Sequence, residues 1–303
     1  MPTESEHPAK AADPPPGGGS RAREAEEYAF DWCRRHGLLR GRTPAESFRR
    51  ARFGALAART HPQAPPGQLA LLAAWVAWGF VLDDLLDRRD ARTADPLLAD
   101  LVAVTAGKRR SRNAFVRAYE DLWRRTTETM DPPVRERFRA NLTRYLNVLG
   151  EESAQRSARR VPSLEAYLPM RLATGGVRED LDIADHLAGR SLPEALYTHP
   201  WHQRILDTAS DVVNWTNDLA SYPKEAAAGE VHNLVIVLAH ADGVDHGRAA
   251  ESVRTGIAAR TEEFTALAAA GPPHPELAAR VADLGHWITG FRGWLSETGR
   301  YRV

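Results

Sequence analysis

The sequence predicts an all-α protein folded as one helical domain. Three observations carry that expectation. From about residue 20 onward nearly every segment shows helical periodicity, bounded by residues that start or stop helices. Alternating strand-like runs joined by hairpin turns are essentially missing from the sequence. No repeat period and no strong linker divides residues 21–303, so ten or more helices in one domain is the economical reading.

The elements follow in order. Residues 1–20, rich in Pro, Gly and Ser, read as a disordered tail, without the apolar core of a secretory leader. Arg21 to His36 is charged and periodic, and Gly37 stops it. Thr43-Pro44-Ala45-Glu46 combines a capping box with Pro at the first helical position, predicting one helix toward Thr60. Pro62, Pro65, Pro66 and Gly67 punctuate the chain before an apolar run, Leu69 to Leu82. As a run it is too short to span a bilayer, and it ends in charge. Helical patterns continue over 93–106, 112–130 and 132–160, then from Ser163 to a break at Gly175-Gly176. Further helices are expected at 177–188, 193–197, 201–225, 231–241, 246–270 and 275–298.

Forty Lys+Arg balance 40 Asp+Glu, which argues against a nucleic-acid partner bound by bulk positive charge. A single cysteine, Cys33, rules out an internal disulfide or a cysteine-rich zinc site, and the expectation is a cytoplasmic protein without a membrane partner. The 11 histidines form no HExxH pair, and no GxxxxGK[ST] loop suggests nucleotide binding.

Two polar clusters carry the chemistry. In the segment WVAWGFVLDDLLDRRD, beginning at Trp75, three aspartates close the apolar run. Asp83 and Asp87 share a helix face with Val76, Gly79 and Phe80 upstream, while Asp84 is turned by about 100°. Two carboxylates stacked on one face repel, and a hard cation such as Mg2+ resolves the conflict. Taken alone, the cluster reads equally well as a solvated helix end. The second cluster, NDLASYPKE, sets Asn217, Ser221 and Glu225 at i, i+4 and i+8. An amide, a hydroxyl and a carboxylate in register can chelate one hard cation, with Lys224 beside them to reach a bound anion. Pro223 within this ladder removes one helix hydrogen bond and favours a kink. One carboxylate wall and one mixed-oxygen wall suit a clamp around a diphosphate.

These residues resemble the bacterial class I terpene synthases. Asp83-Asp84-Leu85-Leu86-Asp87 matches that family's DDxxD motif, and Asn217, Asp218, Ser221 and Glu225 match its NDxxSxxxE motif. Arg171 lies 46 residues before Asn217, where the family carries a diphosphate-sensing arginine, and Arg300-Tyr301 matches the terminal Arg-Tyr pair. The segment from Glu230 to Val235 also looks like the stretch that follows the second motif in the family.

The resemblance implies a helical bundle around a deep apolar pocket. Asp83 and Asp87 would bind two Mg2+ ions on one wall, and Asn217, Ser221 and Glu225 a third on the other. Arg171, Lys224, Arg300 and Tyr301 would hold the diphosphate of an isoprenyl substrate, and Asp84 would partner Arg300. Thr174 and Gly175 fall at the linker and effector positions of the ionisation trigger; relatives often have Asp at the former. Gly79 replaces a common aromatic, which widens the pocket, so farnesyl diphosphate is the first expectation and geranylgeranyl diphosphate the second. Phe80 and Trp294, the latter six residues before Arg300, are the expected aromatic faces for a carbocation, with Trp75 and Trp78 read as core. A homodimer is expected because relatives commonly form one. The alternatives are a chain-elongating prenyl diphosphate synthase and a catalytically silent helical binding protein. The former usually shows a second aspartate-rich motif where this chain has NDLASYPKE. Asp207 and Asp211 supply one DxxxD motif of the two that a squalene-synthase-like enzyme needs, and no DxDD occurs.

Overall fold

The structure, a computed structural model, describes residues 19–87, 91–108 and 111–301. Among them the chain forms fourteen α-helices and no strand. Residues 1–18 of the expected tail lie outside the described residues; its last residue, Ser20, already opens a helix.

In chain order the helices are α1 (Ser20–Arg35), α2 (Arg42–Ala51), α3 (Phe53–Thr60), α4 (Pro66–Leu86), α5 (Ala91–Thr105), α6 (Ala114–Thr127) and α7 (Pro132–Ser157). There follow α8 (Leu164–Thr174), α9 (Val177–Leu187), α10 (Glu194–Tyr197), α11 (Pro200–Ala228), α12 (Leu234–Asp242), α13 (His246–Ala270) and α14 (Ala278–Glu297). Proline opens α4, α7 and α11, where its missing N–H costs nothing.

Helix α4 is apolar nearly all round because it is packed on several sides, by α1, α3, α6 and α9. Ala73, Ala74 and Ala77 are fully buried, which lets the neighbours approach closely. The run read as too short for a bilayer lies within a 21-residue helix whose length and composition would reach across one. Its burial among four partner helices gives that apolarity a use in the core.

The single helix expected toward Thr60 is two helices. Arg52 adopts the left-handed region (φ 58), a conformation costing about 1–2 kcal/mol for a residue with a side chain. At the break the Ala51 and Arg52 carbonyls accept from Trp294 Nε1 at 2.7 and 3.1 Å, Arg52 while also accepting the Leu56 N–H of α3; Ala51 also accepts from Thr298. The expected capping box is also not formed. Gly41 (φ 92) turns the chain so that α2 starts at Arg42, before Thr43 can cap, and Glu46 pairs with Arg42 instead.

Two glycine contacts set the interior. A Cβ at Gly290 would stand 2.7 Å from the Arg59 carbonyl carbon, so only glycine lets α14 lie this close to α3. A Cβ at Gly175 would meet Asn214 Oδ1 at 2.1 Å, so the α8–α9 break nests against α11. Gly176 (φ +74) makes the turn itself.

Candidate active site

Three helices run in the same sense along one cavity. On α4 the lining residues pass from Trp75, Val76, Gly79 and Phe80 to Asp83 and Asp87. On α7 they pass from Leu142, Tyr145 and Leu149 to Glu152 and Arg156, and on α11 from Val213 and Asn214 to Asn217 and Glu225. Each helix therefore changes from apolar to charged toward its C-terminal end. The charged ends meet: Arg156 Nη2 lies 3.5 Å from Asp87 Oδ1, and the Asp83 charge is felt at Glu225. About 18 Å of helix rise separates Trp75 from Asp87. The result is a cup with an apolar floor and a charged rim, and the rim opens to solvent, since over half of the Asp83 side chain is exposed. The cavity volume is about 210 Å3. A packing void rarely exceeds one water, roughly 10–15 Å3 by the same measure, so this is a ligand-sized hollow.

The first wall is held by ion pairs. The Asp83, Asp84 and Asp87 carboxylates bring one oxygen each within 4.8 Å of one another. Arg300 spans Asp84 with two hydrogen bonds of 3.1 Å and donates a third, also 3.1 Å, to Asp83. Its guanidinium lies 4.6 Å from the Phe80 ring centre. Lys224 Nζ is 3.9 Å from Asp84. Desolvation in the cup, and then the Asp83 charge, push the Asp87 carboxyl above its ordinary range, against the pull of Arg156.

The second wall is held by hydrogen bonds around one buried ion pair, Arg171–Asp218. Asn217 donates to the Tyr301 hydroxyl at 2.7 Å and accepts from Arg171 at 3.0 Å. Arg171 also donates to Asp218 at 2.8 Å, and Asp218 accepts from Tyr167 at 2.6 Å and from the Leu234 N–H at 3.2 Å. Asp218 thus props the arginine and the neighbouring helix instead of facing a cation. Asn233 donates to Glu225 at 2.9 Å. Burial pushes the Glu225 carboxyl up to about 7, Asp218 adds to that, and the Asn233 bond opposes it.

Of the residues expected from sequence, Val76, Gly79, Phe80, Asp83, Asp87, Arg171, Thr174, Gly175, Asn217 and Glu225 line the cup. Arg300, Tyr301 and Lys224 join it through Asp83, Asp84 and Asn217. Ser221 is buried one turn beyond Asn217, its hydroxyl facing the Asp218 carbonyl at 3.4 Å and Glu225. One expectation is corrected. Trp294 does not line the cavity: its indole is committed to the α2–α3 break, with Phe80 and Phe291 lying against it. Trp75 and Trp78 are core, as read, both buried in the main cluster, and they also line the cavity together with Trp287 and Phe291.

Sequence reasoning missed the network behind Asp87. Arg156 pairs with Glu230 at 2.6 Å and Glu152 at 2.9 Å as well as with Asp87. Despite burial, Glu230 is held down to about 2 by His232, Arg156 and the Val231 and His232 N–H groups. Besides the Glu230–Val235 segment, the i, i+4 spacing of Glu152 and Arg156 was the signal available in the sequence.

Clustered carboxylates, one raised by burial and then by its neighbour's charge, with amide and hydroxyl oxygens opposite, form a hard-oxygen donor set. That set fits a divalent metal.

Comparison with known proteins gives the same picture. The family model for terpene synthase family 2, C-terminal metal binding, matches residues 74–263. The chain is 35% identical to a (-)-delta-cadinene synthase of Streptomyces clavuligerus, over 88% of this chain and 86% of that one. It is 30% identical to the 4-epi-cubebol synthase ((2E,6E)-farnesyl diphosphate cyclizing) of Streptosporangium roseum, covering 92% of this chain and 87% of that one. Among solved structures, a single-residue variant of a cucumene synthase superposes with a TM-score of 0.81 at 26% identity, over 93% of this chain and 97% of the other.

Proposed function

The chain belongs to the class I terpene synthases, enzymes that cyclise isoprenyl diphosphates, and from that premise we propose that it acts on farnesyl diphosphate, with geranylgeranyl diphosphate second. The product would be a terpene hydrocarbon or alcohol, released with diphosphate. One observation carries this reading: three helices change from apolar to charged along a single cup, which suits a substrate with a hydrocarbon chain and an anionic head. The named substrate of the 4-epi-cubebol synthase supports the fifteen-carbon choice.

We assign three Mg2+ ions to the rim, two beside Asp83 and Asp87 and one beside Asn217, Ser221 and Glu225. Bound there, they would neutralise charge building on the leaving diphosphate oxygens. The chain's own residues do the rest. Arg171, Lys224, Arg300 and Tyr301 offer N–H and O–H donors toward the same charge, in a site that needs no rearrangement of water. Arg300 and Arg171 now lean on Asp83, Asp84, Asp218 and Asn217, so a bound diphosphate would share these donors with the carboxylates. Gly175, at the end of α8, brings its backbone to the cup beside the sensor Arg171, and Thr174 stands where relatives often have Asp. The aromatic floor excludes water and presents ring faces to a carbocation, and Trp75, Trp78, Trp287 and Phe291 take the part expected of Trp294.

The test incubates purified protein with geranyl, farnesyl and geranylgeranyl diphosphates, with and without Mg2+, and reads products by gas chromatography–mass spectrometry. Metal-dependent terpene formation, strongest with farnesyl diphosphate, is expected. Longer prenyl diphosphates formed only with added isopentenyl diphosphate would instead indicate chain elongation.

A further inference from the structure

Two polar side chains line the cup without belonging to either wall of the rim. Tyr145, on α7, precedes Glu152 by about 10 Å of helix rise, toward the apolar end. Glu179, in the first turn of α9, is 9% exposed. The two helices pack on each other, and after burial the Glu179 charge does most to hold the Tyr145 hydroxyl protonated. Neither Glu179 oxygen nor the Tyr145 hydroxyl has a hydrogen-bond partner among the described residues, yet none of these atoms is enclosed by protein. The neighbouring Asp180 differs: its Oδ2 is engaged by Trp287 at 3.0 Å and His61 at 2.6 Å, and its Oδ1 is enclosed. Tyr145 and Glu179 thus offer their polar atoms to the cup. A hydroxyl and a carboxyl held out of bulk water without partners are destabilising, and apolar side chains there would avoid the cost. Neither bonds to a group assigned to metal or diphosphate, so the anionic head does not account for them.

We propose that Tyr145 and Glu179 bind a water molecule that ends the reaction, so that the product is a terpene alcohol, a reading that rests on the terpene synthase activity above. A buried water needs at least two polar partners, and this pair supplies a donor and an acceptor. The Tyr145 hydroxyl donates to the water oxygen, and the water donates to the Glu179 carboxylate. The remaining lone pair faces the hydrocarbon. One water held in this way is compatible with a floor that excludes bulk water, because it reacts only with a carbon placed against it. When positive charge reaches that carbon, the lone pair forms the new C–O bond and the charge passes to oxygen as an oxonium. An O–H bond of the oxonium breaks, its electron pair stays on oxygen, and the proton passes to Glu179. The carboxylic acid loses that proton to solvent once the alcohol leaves. Burial pushes the Glu179 carboxyl up to about 7, against its own backbone N–H and Arg178, which suits a group that takes up and returns a proton near neutral pH.

Wild type would be given the isoprenyl diphosphate that it turns over, with Mg2+, in water labelled with heavy oxygen. The main product is expected to be an alcohol carrying the label. A wild type that releases diphosphate and makes only hydrocarbon overturns the proposal. Glu179→Gln keeps the size of the side chain and removes its basicity, whereas Tyr145→Phe keeps the ring and removes the donor. The ratio of labelled alcohol to hydrocarbon should fall at least about tenfold in Glu179→Gln, since a placed base contributes at least that much to a proton transfer. Tyr145→Phe should move the ratio in the same direction by less. An unchanged ratio in either folded variant overturns the proposal. So does complete loss of diphosphate release from a variant with native circular dichroism, because that places the pair in ionisation. If one variant fails to fold, the ratio in the other decides. A wild type that releases no diphosphate from any isoprenyl substrate would defeat the activity itself, an outcome distinct from an all-hydrocarbon product.

Discussion

The two walls of the rim are built on different physics. The α4 wall has three carboxylates close together, and cations remote in sequence hold them: Arg300 at 3.1 Å, Arg156 at 3.5 Å and Lys224 at 3.9 Å. The α11 wall has its oxygens fixed by Tyr301, Arg171 and Asn233 through hydrogen bonds of 2.7–3.0 Å. A pair to an exposed carboxylate such as Asp83 exchanges for other charges more readily than a hydrogen-bonded amide, which has one set of good geometries. The α11 wall is thus set in advance, and the α4 wall is balanced for exchange. On the proposed function, the arginines and the metal ions compete for the same carboxylates until a diphosphate satisfies both.

The largest effect should come from the wall that has no substitute for its ligand. Asn217→Ala removes an oxygen donor and the partner of Tyr301 and Arg171, and diphosphate release should fall on the order of 10³-fold. The helical circular-dichroism signal should survive, and retained activity would contradict the site assignment. On the opposite wall the loss should be smaller. Arg300→Lys keeps the charge but loses the paired bonds to Asp84, and a drop of about 10–100-fold in kcat/KM is expected. A loss matching that of Asn217→Ala would erase the contrast between the walls.

A gentler probe removes a prop and leaves every ligand. Asn233 caps α12 and reaches back to both the Asp218 carbonyl and Glu225. Asn233→Ala should raise the Mg2+ concentration for half-maximal activity by about 10-fold, with a smaller change in the maximal rate. A change confined to the rate would show that the α11 wall is not organised by its hydrogen bonds.

The same contrast explains what could be read from sequence. Asp83, Asp87, Asn217, Ser221 and Glu225 were legible because a helix turns i, i+4 spacing directly into a shared face. The helix order was legible too, since prolines and glycines mark most ends. Arg156 was not legible, because its partners Asp87 and Glu230 come from other parts of the chain and nothing local announces the pairing. The aromatic floor was legible only in part, for a related reason. Angle around α4 says which residues share a face with Asp83, but only the packing of α14 shows that Trp287 and Phe291 face the cup. Trp294, one turn further, serves the break at Arg52, which the helical pattern over 43–60 did not reveal.

The smallest predicted effect lies outside both walls and separates the stability of the fold from that of the rim. Glu26 on α1 accepts the Gly54 N–H at 2.6 Å, at a contact so tight that a Gly54 Cβ would meet the Glu26 backbone at 2.3 Å. Its other oxygen has no partner among the described residues, and burial pushes the carboxyl up to about 7, with the Gly54 bond opposing. An unfolded glutamate titrates lower, so between those values the folded protein holds more protons than the unfolded one. Stability from this group is therefore fully present at low pH and is lost as pH rises through about 7. A tenfold difference in proton affinity between the folded and unfolded chain is worth roughly 1.4 kcal/mol, so the whole contribution is on the order of 1–3 kcal/mol. Glu26→Gln keeps an acceptor for Gly54 without the charge, so its Tm should exceed that of wild type by a few degrees at pH 8 and by little or nothing at pH 5. Because Glu26 touches neither wall, this difference should persist when saturating Mg2+ is present. If Mg2+ removes the pH dependence of wild type and Glu26→Gln does not alter it, then the rim carboxylates, not the α1–α3 contact, govern stability near neutral pH.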